Sequence, residues 1–183
     1  MTQEFKNSIK QVAVRQFHLD GFHGTTIRNI AREAGCSLPM VYYYYQSKQA
    51  LFHEIISEDY FALITRLARQ RTETDALDFY TQFVLSATDL SEYDCMVYRL
   101  GIKVYLGFDG DETLHAMMDE WERSIFPRHY ERLLPVLQGR YNPEAVVHAL
   151  VHLLENLIES VIVKQRPLSE AQIREELAVI LKH

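Results

Sequence analysis

The stretch Thr25-Thr26-Ile27-Arg28-Asn29-Ile30-Ala31-Arg32-Glu33-Ala34-Gly35-Cys36-Ser37-Leu38-Pro39-Met40-Val41-Tyr42-Tyr43-Tyr44-Tyr45-Gln46-Ser47-Lys48 holds two short amphipathic segments separated by a glycine. In the first, Ile27, Ile30, Ala31 and Ala34 share a face at helical spacing, and the small alanines let another helix approach closely. Gly35 ends that helix, because a residue without Cβ suits a left-handed C-terminal cap. Ser37 caps the second segment, and Pro39 sits in its first turn, where a missing N–H costs little. Two short helices joined by Gly35-Cys36 have the layout of a helix-turn-helix.

Along the second segment, at about 100° per residue, Val41 and Tyr45 point one way and pack inward. Pro39, Met40, Tyr42 and Tyr43 then point outward, and Tyr44 is left open between core and surface. An exposed, largely uncharged aromatic surface is costly to show to water. It suits base edges and thymine methyls in a major groove, with tyrosine hydroxyls reaching phosphates.

Outward from this stretch the apolar spacing stays helical, and no segment alternates long enough to suggest a strand. A first helix spans about Thr2 to Leu19 and stops at Asp20-Gly21. Ser47 caps a long fourth helix reaching about Arg71. Breaks follow at Glu73-Thr74-Asp75, Leu90-Ser91, Asp109-Gly110-Asp111, Gly139 to Pro143 and Arg166 to Ser169, and Pro127 is expected to kink or split the helix that begins near Asp111. The fold class is all-α, with about nine helices: a three-helix helix-turn-helix head and a C-terminal helical bundle. Seven Gly and five Pro in 183 residues are too few for the many tight turns of an all-β chain.

The formal charge of −6 argues against a nucleic-acid binder only if it is spread evenly. It is not. Residues 1–50 carry six Lys/Arg against three Asp/Glu, whereas residues 51–183 carry thirteen against twenty-two. A modestly basic head sits on an acidic body. The two cysteines, Cys36 and Cys95, are too few for a disulfide framework or a thiolate zinc site. The N-terminus carries no apolar run of a secretory signal. Ala145 to Val163 is interrupted by His148, His152, Glu155, Asn156 and Glu159, so it does not read as a membrane span. A cytoplasmic setting without membrane attachment is expected.

The stretch from Thr25 to Lys48, extended by Ala50-Leu51 and preceded by Phe17 and Gly21-Phe22, resembles the DNA-binding signature of the TetR (tetracycline-repressor-like) family. The resemblance covers about 45 residues. It implies a DNA-binding domain at 1–50 and a ligand-binding and dimerisation domain at 51–183. It places Thr26 and Arg28 near phosphates or a base edge, and Ser37, Leu38, Pro39 and Met40 at the base-reading end of the recognition helix. Tyr42 and Tyr43 would touch the phosphate backbone, and Lys48 would hold a further phosphate, helped by the dipole of the helix it begins. Position 39 is often Gly in the family and is Pro here. Leu38 and Met40 bring no strong base-pairing groups, so readout would rest on apolar contacts or DNA shape.

The partners implied are a near-palindromic double-stranded DNA, a second copy of the chain, and a small-molecule effector of unknown identity. Most aromatic and Met side chains beyond Leu51 suit a bundle core. The resemblance implies a pocket among these helices, and Phe61, Phe83, Tyr98, Arg99, Tyr105, Met117 and Trp121 are its candidates. Arg99 and Lys103, one turn apart, suit an acidic effector or pair with neighbouring carboxylates.

In Ala145 to Val163, Leu150, Leu153, Leu157 and Val161 form one apolar face, and Val147, Val151, Leu154, Ile158 and Ile162 form another. A helix apolar on two sides needs both a core and a partner. With the last helix it would supply half of an intermolecular four-helix bundle, through Val147, Val151, Leu154, Ile158, Ile173, Leu177 and Ile180.

His148, His152, Glu155 and Glu159 form a stripe that is either a metal-binding line or a polar seam. Glu112-Thr113-Leu114-His115 matches half of a di-iron motif but has no second copy. No catalytic motif and no cofactor requirement emerges. The chain reads as a regulator and not an enzyme. The alternatives are an architectural or partner-regulated DNA-binding protein without an effector, and an α-helical metal enzyme built on the His148 stripe.

Overall fold

The computed structural model describes residues 2–69 and 75–182. Among them are nine helices and no strand: α1 (Thr2–Gly24), α2 (Ile27–Glu33), α3 (Leu38–Tyr44), α4 (48–69), α5 (Ala76–Leu85), α6 (Glu92–Tyr105), α7 (Glu112–Leu137), α8 (Pro143–Ile162) and α9 (Glu170–Leu181). A short 3₁₀ turn, Ser86–Asp89, follows α5. Within α4, a π-helical stretch Ile55–Tyr60 joins Lys48–Glu54 to Phe61–Arg69.

The ends are set by side chains that the sequence supplies. Thr26, Ser37, Ser47, Asp75, Ser91, Asn142 and Ser169 each accept a backbone N–H three residues on, satisfying donors that a helix start leaves orphaned. Ser169 and Gln172 complete a reciprocal capping box. Gly35 adopts φ +66° between α2 and α3, as its C-cap role requires. α1 keeps helical geometry to the predicted stop, where Gly21 breaks it at φ 73°, ψ 169°. The break at Glu73-Thr74 and the reach of α4 toward Arg71 lie outside the described residues.

Pro127 and Pro135 both lie inside α7, which runs unsplit from Glu112 to Leu137. The expected split at Pro127 does not occur. Each proline removes one intrahelical N–H, and burial of Leu133 and Leu137 on the same helix offsets that loss.

The chain forms two compact units. The first comprises Met1–Ile64 and Ser91–Met118. Ile9, Ala13, Val14 and Phe17 of α1 are buried, together with Ile30 and Ala31 of α2, Val41 of α3, Leu51, Phe52, Ile55 and Ile56 of α4, and Leu100 and Val104 of α6. Phe17 and Phe52 meet edge to face at 5.1 Å between ring centres, a geometry that adds about 0.5–1.5 kcal/mol to area burial. In α6, Gly101 admits the Tyr60 ring so closely that a Cβ there would overlap it.

The second unit comprises Thr65–Leu90 and Asp119–His183. α9 packs on α5 and on α8. Tyr80, Val84, Leu133, Val147, Leu150, Ile173 and Leu177 fill its core. The Tyr80 hydroxyl lies 2.8 Å from His129 Nδ1, Arg132 stacks over Phe79 at 3.6 Å, and Arg174 pairs with Asp78 at 2.6 Å.

Helix α8 meets the length and hydropathy of a membrane span, with a mean hydropathy of 1.5. Its two apolar faces merge into one broad arc inside this unit. Val147, Leu150, Leu154, Leu157, Ile158 and Ile162 are all buried there. This corrects the partner-facing assignment of Val147, Leu154 and Ile158, and likewise of Ile173 and Leu177: the chain's own core already covers them. The physical reason is that α8 is flanked by α5, α9 and the turn after α5, so one chain uses most of its apolar circumference. Val151 and Ile180 remain half-buried.

Candidate nucleic-acid interface

The helix-turn-helix is built as its side chains require. Val41 is fully buried and Tyr45 only 2% exposed, so one side of α3 is fixed in the core. The opposite side carries Tyr42, 50% exposed, and Tyr43, 77% exposed. Ser37 and Pro39 are exposed, and Leu38 and Met40 half-buried, at the N-terminal turn of the same helix. Tyr44 is half-buried, with its ring 5.1 Å from that of Tyr43. Thr26 caps α2 and remains exposed, as does Arg28 two residues on. Eight of the nine predicted DNA-facing residues therefore border the surface of two capped, adjoining helices.

Lys48 differs. Its ammonium donates to the carbonyl oxygens of Phe22 at 2.7 Å and Thr25 at 2.9 Å, and it sits 4.3 Å from the centre of the Phe22 ring. It ties the end of α1 and the residue after it to the start of α4. Thr25 is buried beside it, and its hydroxyl donates to the Gly21 carbonyl at 2.9 Å. Arg15 pairs with Glu33 at 2.6 Å, linking α1 to α2.

A second polar cluster supports α3 from behind. Tyr45, the C-cap of α3, donates its hydroxyl to Glu54 at 3.2 Å. Glu54 also pairs with Lys6 at 2.9 Å and Lys10 at 3.3 Å. Lys10 reaches Asp59 at 3.0 Å, and Asp59 accepts the Tyr93 hydroxyl at 2.6 Å. Burial pulls Lys10 down, but Asp59 and Glu54 outweigh it and hold the amine above its ordinary value. Burial likewise pushes Glu54 up, and Lys6 and Lys10 overcome it to hold the carboxyl low. The sequence reading missed this cluster. Its one legible signal was the i, i+4 spacing of Lys6 and Lys10 on an otherwise apolar side of α1.

The effector candidates divide between the two units. Phe61, Tyr98, Arg99, Tyr105 and Met117 belong to the first unit, and Phe83 and Trp121 to the second. Tyr98 and Phe83 are buried core residues, whereas Tyr105 is exposed at the end of α6. Lys103 points at the carbonyl of His18, 3.4 Å away.

Along the α8 stripe, His152 Nδ1 lies 3.4 Å from Glu155, and the His148 ring stacks 4.5 Å from that of Phe126. Among the described residues no three His, Cys, Asp or Glu side chains converge to hold a metal ion. Burial raises the thiols of Cys36 and Cys95 above their ordinary values, which disfavours the reactive thiolate.

Residues 9–55, the segment that builds this head, match the profile described as "Bacterial regulatory proteins, tetR family". That segment is a TetR-family helix-turn-helix head. The family is one of helix-turn-helix transcriptional regulators rather than enzymes. The chain is 34% identical over 55 residues to the uncharacterized HTH-type transcriptional regulator YdgC of Bacillus subtilis (strain 168), covering 30% of this chain and 28% of that protein. It is 28% identical over 109 residues to the probable HTH-type transcriptional regulator YttP of the same organism, covering 60% and 53%. The chain thus spans about a quarter to a half of the length of these curated relatives. Its fold follows that of Salmonella enterica GusR, with TM-score 0.72, 18% identity, and coverage of 98% of this chain and 96% of that one. It also follows the multidrug binding protein EbrR complexed with ethidium, with TM-score 0.63, 18% identity, and coverage of 96% and 97%.

Proposed function

We propose that this chain is a homodimeric, cytoplasmic transcriptional repressor that binds a near-palindromic operator and is released by a small-molecule effector. The observation that carries the reading is the division of α3. Its Val41 and Tyr45 side is locked into the core, while Tyr42 and Tyr43 stand out to solvent beside Leu38, Pro39 and Met40. In this reading residues 1–50 bind DNA and residues 51–183 carry effector binding and dimerisation. Leu38 and Met40 read thymine methyls and groove shape, Tyr42 and Tyr43 hold phosphates, and Thr26, Arg28 and Ser37 fix the register.

Dimerisation falls to the exposed side of α8 and α9. Ala145, Ala149, His152 and Asn156 line one exposed strip of α8, and Val179 on α9 is 66% exposed. Ala145 and Ala149 are small enough to let a second helix approach across a two-fold axis. The effector reading is supported by the TetR-family match of residues 9–55 and by the ethidium complex of the structurally similar EbrR.

Selection of duplex fragments from a random pool by the purified protein tests the reading. The expected outcome is a two-fold symmetric sequence with half-sites about 34–36 Å apart, or a multiple of that spacing. Enrichment of no sequence, or of an asymmetric one, contradicts it. Burial of Tyr98 and Phe83 favours a second reading, a partner-regulated DNA-binding protein whose bundle is solid core. Thermal shift against a metabolite panel separates the two, since a bound effector stabilises by mass action.

A further inference from the structure

The recognition helix ends on a hydrogen bond from Tyr45 to Glu54, and Glu54 lies one residue before the π-helical stretch Ile55–Tyr60 of α4. Such wide turns are rare and recur at functional sites. Here the stretch is held from two sides. On the side of the head, Lys10 of α1 bridges Glu54 and Asp59 at 3.3 and 3.0 Å, so both carboxylates share one cation. On the side of α6, Tyr93 donates to the second oxygen of Asp59 at 2.6 Å, and the Tyr60 ring seats against Gly101.

All of these groups lie within the first compact unit. Lys10, Glu54 and Asp59 are largely shielded, with side-chain exposures of 13%, 19% and 21%. Their interactions are therefore weakly screened by solvent. A charge-assisted hydrogen bond from a neutral hydroxyl to a shared carboxylate is among the stronger polar contacts.

We infer that Tyr93 on α6 is a positioning residue for the recognition helix, acting through the side-chain chain Tyr93–Asp59–Lys10–Glu54–Tyr45. Tyr93 is not one of the residues expected to face DNA, and its hydroxyl is engaged by Asp59. Its hydroxyl fixes Asp59, Asp59 and Glu54 together fix Lys10, and Glu54 fixes the Tyr45 hydroxyl that anchors the C-terminus of α3. Because Lys10 serves both carboxylates, a change at one end alters the hydrogen bond at the other. Helix α6 thereby holds α3 through a relay of side chains, which adds to the connection through the α4 backbone. Its link to DNA rests on the reading of the head given above, while its link to α3 does not.

Two measurements on the full-length chain test it, on Tyr93→Phe, Asp59→Asn and the double variant. In the DNA-free protein, backbone amides of residues 38–45 are expected to exchange with deuterium several-fold faster in Tyr93→Phe, with α5 and α8 unchanged. Unchanged exchange at 38–45, or an equal rise across the whole chain, overturns the inference. On a duplex selected by the wild-type protein, Tyr93→Phe is expected to bind roughly five- to tenfold more weakly, with the same salt dependence. The double variant is expected to bind no more weakly than Asp59→Asn, because both act through one chain. Additive losses, or wild-type affinity in Tyr93→Phe, overturn the positioning role. If the wild-type protein selects no DNA at all, the DNA-binding reading fails and the exchange measurement still decides the hold on α3.

Discussion

The ammonium of Lys48 is 2.7 Å from the carbonyl oxygen of Phe22, a contact that pins the last turn of α1 to the first residue of α4. With the Thr25 carbonyl at 2.9 Å, two of its three donors are spent on backbone. Lys48→Met is therefore expected to cost about 1.5–3 kcal/mol of stability, the range for hydrogen bonds to a charged group. Its plot of log affinity against log salt on a selected duplex is expected to keep the wild-type slope. A slope reduced by about one unit marks instead the loss of a phosphate contact.

Tyr42 and Tyr43 stand exposed on α3, so their hydroxyls are free to be tested against phosphates. Tyr42→Phe and Tyr43→Phe are expected to weaken binding about three- to tenfold on every duplex tested, as removal of one hydrogen bond does. Leu38→Ala and Met40→Ala are expected to change the ranking of duplexes by about 1–3 kcal/mol at the bases they meet. Competition binding against a panel of single-base variants of the selected site checks both. Uniform loss for all four variants contradicts the division of roles.

Gly101 is required by the Tyr60 ring and not by its own backbone angles, which are helical. Gly101→Ala is expected to destabilise by about 1–3 kcal/mol through overpacking, read as a lower urea midpoint with an unchanged slope. Gly24→Ala, where the nearest atom beyond its neighbours is Asp20 Cβ at 3.4 Å, is the contrasting change and stays within about 1 kcal/mol of wild type.

His129 accounts for an expected acid sensitivity. Burial, then Arg132 and Arg128, push its ring from 6.5 down to about 4. Above about pH 6.5 the ring is neutral folded and unfolded, and the shift has no effect. Between pH 6.5 and 4 the unfolded chain takes up a proton that the folded ring refuses, so stability falls as pH falls. The loss approaches about 2–3 kcal/mol near pH 4, at about 1.4 kcal/mol per pH unit less some allowance for residual solvent. Urea midpoints at pH 7 and pH 5 check it, and His129→Gln is expected to flatten the difference.

Ala149 lies on the exposed strip of α8 assigned to the partner copy. Ala149→Glu places two unpaired carboxylates across a two-fold axis and is expected to cost about 3–5 kcal/mol of association. Sedimentation velocity is expected to show a shift from dimer to monomer with the helical content retained. A dimer that persists at micromolar concentration removes α8 from the interface.

Helix starts, the Gly21 and Gly35 breaks and the two sides of α3 were legible in the chain because each depends on residues within one or two turns. A Ser three positions before a free N–H caps it wherever the rest of the molecule lies, and Tyr43 faces away from Val41 by helical geometry alone. The partner-facing side of α8 was not legible in this way. Val147 and Leu154 are apolar whether they meet α5, α9 or a second copy, so composition cannot tell a core from an interface; packing alone settles it. Lys48 and Tyr93 are the same case in polar form. Over the described residues the order of side chains set the helices and the surface that α3 exposes, because these are local. Which carbonyl Lys48 grips, and how Tyr93 comes to stand behind the recognition helix, only the tertiary structure decided, since each bond joins residues more than twenty positions apart.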